Sequence, residues 1–259
     1  MFLIRWLHKW FGLVLGLQFL LWAGSGAVMA LLDHHEVSAE HAVLPIAQPA
    51  SPQQPLALAQ VAEQVGAPIV TLQLKPLFDS YVYEATTPLG VRLLDATTGA
   101  PIEIDAARAK SLAVARYAGS EPVRSVTHVA ETTLETRDVA LPVWRVELAD
   151  KDRTTLLVSA KTGELLGTKN DTWRLWDIAW MLHIMDYGER QSFNHPLIIT
   201  VGTGAAWLAL SGLILLFRSF RRSDVAWVLD PLEAYRARRG AKPSRAAPQS
   251  ARTDLRGES

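Results

Sequence analysis

Two long stretches without a charged residue constrain the fold of this chain most. They run from Trp10 to Leu32 and from Pro196 to Phe217, which is 23 and 22 residues. A helix rises about 1.5 Å per residue, so each stretch spans roughly 33 Å and covers a bilayer core of about 30 Å. The sequence therefore predicts two transmembrane helices, at residues 10–32 and 196–217.

The first stretch has a competing interpretation as a cleaved signal peptide, because Arg5 and Lys9 give it a basic start. Its apolar run is longer than the usual signal core of about 7–15 residues. In addition, no convincing small-x-small cleavage motif precedes Asp33. We therefore expect an uncleaved membrane anchor.

The charges are distributed unevenly along the chain. Residues 1–9 carry a net charge of +2 and residues 218–259 carry +5, whereas residues 32–195 carry −7. The positive-inside rule then predicts a two-helix inner-membrane protein with both termini in the cytoplasm and residues 33–195 outside, in the periplasm of a Gram-negative bacterium. Residues 1–9 are the predicted cytoplasmic N-terminus.

The basic segment 218–259 is predicted to be a cytoplasmic tail. Within it, Asp230 and Pro231 predict the start of a short helix at the membrane surface, and the part after Gly240 is predicted to be disordered. Anionic lipid would attract this tail, and the folded segment is acidic. Membrane lipid is therefore the expected partner, and nucleic acid is not.

The external segment reads as a mixed α+β domain. After a juxtamembrane segment and linker at 33–55, the pattern of a helix followed by three antiparallel strands occurs at 56–104 and again at 105–168. The two occurrences of this pattern end in similar sequences, LLDATTGAPI at 93–102 and LVSAKTGELL at 157–166. The sequence therefore predicts a duplicated unit inserted between two transmembrane helices.

These features resemble a known family. The repeated unit looks like the PepSY module, and the flanking segments RWLHKWFGLVLGLQFLLWAGSGAVMALLDHH (5–35) and WMLHIMDYGERQSFNHPLIITVGTGAAWLALSGLILL (180–216) are similar to the PepSY-associated transmembrane family. Larger members of that family resemble ferrisiderophore reductases that pass electrons through b-type haems. Soluble PepSY modules also occur as inhibitors in peptidase propeptides. The resemblance implies either a redox role or a binding role.

Five histidines are the candidate cofactor ligands. The chain has no cysteine, which excludes iron–sulfur clusters, zinc–thiolate sites and covalently attached haem, so any haem is b-type. At the external membrane face we expect His34, His35, His183 and His195. His8 lies about 39 Å from His34 along a continuous helix, so it can complete a haem site only with a second copy or another protein.

Aromatic residues surround one of these candidates. Five residues recur at helical spacing: Trp173, Trp176, Trp180, His183 and Tyr187. This spacing predicts an amphipathic interfacial helix over 171–190. His183 is then either a haem ligand or a residue of an aromatic belt. Ser25 and Gln18 on the first membrane helix are polar and need a partner, which is another helix or a cofactor.

Other chemistry finds little support. The run HHEVSAEH at 34–41 is not a zinc-protease motif, because Ala39 stands where the second histidine would be, and we predict no metal site beyond haem iron. No hydrolase or nucleotide-binding motif is present in the sequence. Two hypotheses stay open: a haem-containing electron-transfer component of envelope iron or siderophore handling, and a non-catalytic periplasmic module. Either one can act as a homodimer or with another envelope protein.

Overall fold

The computed structural model describes residues 2–46, 54–219 and 222–240. The chain divides into two compact units, one formed by residues 1–12 with 204–259 and the other by residues 13–203. The predicted disordered tail after Gly240 and most of the predicted linker, at 47–53, lie outside the described residues.

Two helices are long and apolar enough to cross a membrane: α1 (Phe2–Leu31) and α6 (Pro196–Ser219). Helix α1 begins eight residues before the predicted span. The early residues continue the helix because Arg5 and Lys9 have long stems that can cover apolar surface while their charges stay in water. Helix α6 begins at a proline, whose ring suits the first position of a helix.

The basic segment after α6 forms a longer helix than predicted. Helix α7 covers Arg222–Gly240 and carries Pro231 in its interior, so the predicted helix start at Asp230 is wrong. The residues from 222 to 229 contain no glycine or proline that would end a helix. Pro231 removes one backbone hydrogen bond without breaking the helix.

Between the membrane-length helices lie two antiparallel sheets of four strands each, which confirms the mixed α+β class. Helix α3 (Leu58–Val65) precedes the first sheet and helix α4 (Ala106–Arg116) the second. The first sheet has the strand order β1 (Thr71–Leu77), β2 (Ser80–Thr87), β3 (Gly90–Asp95) and β4 (Pro101–Ile102). The second has the order β5 (Val123–Val129), β6 (Val143–Leu148), β7 (Thr155–Ser159) and β8 (Leu165–Lys169). Each sheet has one strand more than expected, because the short apolar run after each Thr-Gly turn returns to the sheet.

The two Thr-Gly turns have the same construction. Asp95 Oδ1 accepts hydrogen bonds from the backbone N–H groups two and three residues later, and Ser159 Oγ does the same in the second sheet. The chain then reverses through Gly99 at φ +74° and Gly163 at φ +70°. Both turns use a side-chain oxygen to hold the backbone and a glycine to adopt a left-handed conformation.

The first sheet is covered on both faces. On one face Val61 and Val65 of α3 pack against Tyr83 and Leu94, and all four side chains are buried. On the other face the neighbouring positions Val82 and Leu93 join a larger core, together with residues of α4 and of the second sheet. Because side chains alternate between the faces of a strand, adjacent positions serve the two cores.

Two further helices lie in the segment between the membrane-length helices. Helix α2 (His34–Ser38) is capped by Asp33, and helix α5 (Asp171–Ile184) is capped by Asn170. The Asn170 side chain also donates a hydrogen bond to the carbonyl of Glu36, at 2.8 Å, and so joins the two helices. Helix α5 is six residues shorter than the predicted 171–190.

Helix α5 ends early because Asp186 organises the following loop. Its carboxylate accepts backbone N–H bonds from residues 188, 189, 191 and 192, at 3.0 to 3.3 Å. Burial opposes ionisation, but these hydrogen bonds outweigh it and lower the pKa of Asp186 to about 2. Tyr187 therefore lies in a loop and not on the predicted aromatic stripe of the helix.

Candidate functional site

His183 lies in the last turn of α5 and contacts α1. Its Nδ1 is 3.3 Å from Oγ of Ser25, and Trp22 donates from its indole nitrogen to the backbone carbonyl of His183 at 2.6 Å. Ser25 is only 6% exposed. Ser25 therefore has its partner in α5, whereas the side-chain nitrogen of Gln18 is buried without a hydrogen bond among the described residues.

A glycine makes room for this imidazole. A Cβ atom built on Gly26 would lie 3.4 Å from Cε1 of His183, at the limit of ordinary van der Waals contact. The Ser25 hydroxyl also donates to the carbonyl of Leu21 at 2.6 Å, one turn earlier in α1. We refer to His183, Ser25 and Gly26 as the His183 site.

His8 has closely similar surroundings in the other unit. Its Nδ1 is 2.8 Å from Oγ of Ser211, which is 4% exposed and also donates to the carbonyl of Leu208 at 3.0 Å. A Cβ on Gly212 would lie 3.0 Å from Cε1 of His8. We refer to His8, Ser211 and Gly212 as the His8 site. In both sites a histidine contacts a Ser-Gly step of another helix.

The remaining candidate histidines are engaged elsewhere or exposed. His195 contacts the carbonyl of Ile184 with Nε2 at 3.0 Å. His35 is exposed and pairs with Glu40 at 2.9 Å, and this hydrogen bond raises the pKa of the imidazole. His34 is also exposed, with its ring 6.4 Å from that of His35.

The structure therefore does not bring the predicted ligand pair together. Within residues 2–46 and 54–219, His183 makes no hydrogen bond or ring contact with His34, His35 or His195. The first helix contributes Ser25 to this site, and the histidines that follow that helix lie on α2 instead.

Aromatic side chains extend from this region along α5. Trp176 and Trp180 stack with ring centroids 5.4 Å apart, and Phe193 meets Trp180 edge-on at 5.3 Å. Leu175 and Ile178 are 50% and 46% exposed on the same helix. Such exposed apolar and aromatic groups beside membrane-length helices are typical of a membrane interface.

Helix α5 also carries a buried ion cluster that the sequence analysis missed. Asp177, with a side chain 3% exposed, binds Arg137 and Arg190 at 2.5 Å each. The only sequence signal is a lone acidic residue between apolar positions in α5. Nearby, burial lowers the pKa of Lys169, whose ammonium lies 3.9 Å from the centre of the Trp173 ring.

A cavity of about 560 Å³ opens between the two sheets. Trp144 forms part of its wall, held by a hydrogen bond from its indole nitrogen to the carbonyl of Ile104 at 2.7 Å, and His128 packs edge-on against it at 4.9 Å. Arg92 and Lys161 add positive charge, and Glu103 adds one negative group. The cavity can hold a small amphipathic molecule or a peptide side chain.

The donor sets of the two histidine sites fit a single axial haem ligand each. Histidines that bind iron commonly have the other ring nitrogen hydrogen-bonded, as Nδ1 is in His183 and His8. In the part of the chain that the structure describes, Nε2 of neither residue makes a hydrogen bond, and no group of three His, Asp or Glu residues could hold a metal ion. A pair of axial ligands from the predicted external histidines does not fit.

A comparison with protein-family models finds a match over residues 5–248, to the PepSY-associated TM region. No curated protein and no solved structure matches the chain. The family match covers most of α1, all of α6 and the whole segment between them.

Proposed function

The chain belongs to the PepSY-associated transmembrane family, and from this premise we propose a redox-linked role for this membrane protein in envelope iron or siderophore handling. In this proposal it lies in the inner membrane with both termini in the cytoplasm. The two sheets form PepSY-like units in the periplasm. His183 and His8 each offer one imidazole to haem b.

The observation that carries this proposal is the construction of the His183 site. The imidazole is half-buried, its Nδ1 is hydrogen-bonded to a buried serine, and a glycine admits the ring against α1. A residue that only anchors the protein in an aromatic belt needs none of these features, because its polar end reaches water. The arrangement matches the outer contacts that orient a ligating histidine.

The chain's own residues would hold and orient the haem. A haem b bound here would supply one-electron transfer. A second haem ligand would come from a second copy of the chain or from another envelope protein, since His34, His35 and His195 are exposed or engaged elsewhere. Trp176 and Trp180 provide apolar surface on the same helix as His183.

Absorption spectra of the detergent-purified protein, oxidised and then reduced with dithionite, test the haem proposal. The reduced wild-type protein should show an α-band, and His183→Ala should lose most of it. The matched control is His128→Ala, which removes another external imidazole that contacts Trp144 in the cavity. A wild-type protein that purifies without colour after expression with ample haem would overturn the proposal.

The cavity between the sheets favours a second candidate function, a non-catalytic binding module. Lys161 is an exposed positive residue of the cavity lining, and Lys161→Glu reverses its charge. The matched control Lys110→Glu reverses an exposed charge on α4, outside the cavity lining. If this function is correct, Lys161→Glu should slow the growth of cells that depend on an iron-loaded siderophore, and His183→Ala should not. The opposite pattern supports the redox role.

A further inference from the structure

We infer that Ser25 is a positioning residue that fixes the tautomer of His183, so that the neutral imidazole carries its proton on Nδ1 and presents an unprotonated Nε2. Only the identity of the ligand that Nε2 binds rests on the proposed function. The placement of the proton follows from the hydrogen bonds of Ser25.

A serine hydroxyl has one hydrogen and two lone pairs. In the His183 site the Ser25 hydroxyl is 2.6 Å from the carbonyl of Leu21 and 3.3 Å from Nδ1 of His183. A carbonyl oxygen can only accept, and the shorter contact takes the hydrogen, as serines in membrane helices commonly donate to a carbonyl one turn earlier. The lone pairs of the hydroxyl therefore face the imidazole, and Nδ1 must donate.

The His8 site contains the same groups, but the order of its two distances is reversed. The Ser211 oxygen lies 2.8 Å from Nδ1 of His8 and 3.0 Å from the carbonyl of Leu208, so the contact with the imidazole is the shorter one. We therefore restrict the assignment to Ser25 and His183. Ser25 is buried, so water does not offer its hydroxyl an alternative partner.

The glycine that follows Ser25 lies against the imidazole. A Cβ built on Gly26 would lie 3.4 Å from Cε1 and 3.6 Å from Nδ1 of His183, at the limit of ordinary van der Waals contact. Gly26 therefore lets the ring lie close to the helix beside the serine that receives its Nδ1–H.

The chemical consequence is a defined ligand atom. In a neutral imidazole, the hydrogen bond made by one ring nitrogen determines whether the other nitrogen can bind a metal. With Nδ1 protonated, the Nε2 lone pair is free to bind an iron-containing group or to accept a proton. Loss of the serine would let the proton move to Nε2 and would block that atom.

The test is nitrogen NMR on the full-length protein in detergent, with the histidine side chains labelled with nitrogen-15 and spectra recorded over a pH series. The His183 signals are identified by their loss in His183→Ala. In the wild type, the neutral form should show a protonated Nδ1 and an unprotonated Nε2. A wild-type imidazole protonated on Nε2 would overturn the inference without any serine variant.

Three variants sharpen the result. Ser25→Ala should shift the proton of His183 toward Nε2, and Ser25→Thr, which keeps a hydroxyl able to bond the preceding turn, should preserve the wild-type tautomer. The matched control Ser38→Ala removes a half-buried serine that bonds the carbonyl of His35 and the side chain of Glu40, outside the His183 site. An unchanged tautomer in Ser25→Ala would contradict the assigned role of the serine.

Haem titration provides the second readout. Outer contacts of ligating histidines typically change metal affinity by about 10–100-fold, so Ser25→Ala should weaken haem binding by about tenfold or more, and Ser25→Thr should restore it. The two proposals can fail separately. A colourless protein with the expected tautomer refutes the haem role and retains the serine role, whereas a haem protein with Nε2 protonated in its unloaded form refutes the serine role alone.

Discussion

Arg190 donates a hydrogen bond from Nη1 to Oδ2 of Asp177 over 2.5 Å. Arg137 binds the other oxygen of the same carboxylate, so one buried group on α5 holds the loop before β6 and the loop before α6. The indole of Trp180 reinforces the second connection by donating to the carbonyl of Arg190 at 3.0 Å. The loop that leads into α6 is therefore fixed against the helix that carries His183.

Removing the charge of Asp177 should destabilise this region strongly. Asp177→Asn removes the buried ion pair of Arg190 and leaves Arg137 with its longer pair to Asp138, at 3.7 Å. Removing one partner of a buried ion pair typically costs about 3–5 kcal/mol of stability. Urea unfolding followed by tryptophan fluorescence would measure the change. The matched control Asp171→Asn affects more exposed ion pairs with Arg153 and Arg174 and should lower the free energy of unfolding by at most about 1 kcal/mol. Equal losses in the two variants would contradict the role of the buried cluster.

The glycine of the second Thr-Gly turn should be sensitive to substitution. A Cβ on Gly163 would lie 3.0 Å from Leu77 Cδ1 and 3.1 Å from Leu112 Cδ1, at a φ of +70°. Gly163→Ala should therefore lower the free energy of unfolding by about 2–4 kcal/mol, through left-handed strain and overpacking together.

Gly66 offers the matched control for this prediction. It also has a positive φ, of +59°, but a Cβ there would meet its nearest atom at 3.9 Å. Gly66→Ala should lower the free energy of unfolding by about 1–2 kcal/mol, because it introduces only the left-handed backbone strain. Urea denaturation of both variants gives the comparison, and a Gly66→Ala loss as large as that of Gly163→Ala would show that packing at the second turn adds nothing.

The loop around Asp186 should be stable only when its carboxylate is ionised. Its pKa is lowered to about 2, below the value of about 3.9 in an unfolded chain. A depressed carboxyl pKa contributes stability above the unfolded value, and this contribution is lost as the pH falls from about 4 to about 2. The stability difference between the wild type and Asp186→Asn should therefore shrink over that range. Urea midpoints at several pH values measure it, and a difference independent of pH would contradict this account.

The orientation in the membrane is open to a direct test. Reporter fusions should show an active alkaline phosphatase when it follows Gly119 and an inactive one when it follows Arg239. The reason is the net charge of −7 over residues 32–195, compared with +5 over residues 218–259. The reverse pattern of activity would show that the termini lie outside.

Several features could be predicted because their causes are local. The length of the two charge-free stretches is enough to indicate membrane helices, and the Thr-Gly pairs ending at Gly99 and Gly163 marked the turns correctly. In contrast, the end of α5 was misplaced. The helical spacing of its aromatic residues continues to Tyr187, but Asp186 binds the following backbone N–H groups and ends the helix first.

The sequence by itself determined the membrane-length helices, the mixed α+β class and the histidines worth considering, because these depend on composition and on neighbours along the chain. Only the tertiary structure decided which groups meet. His183 contacts Ser25 across 158 positions of sequence, and His8 contacts Ser211 across 203. Such contacts depend on how whole helices pack, since a hydrogen bond forms only where packing brings two distant groups within about 3 Å.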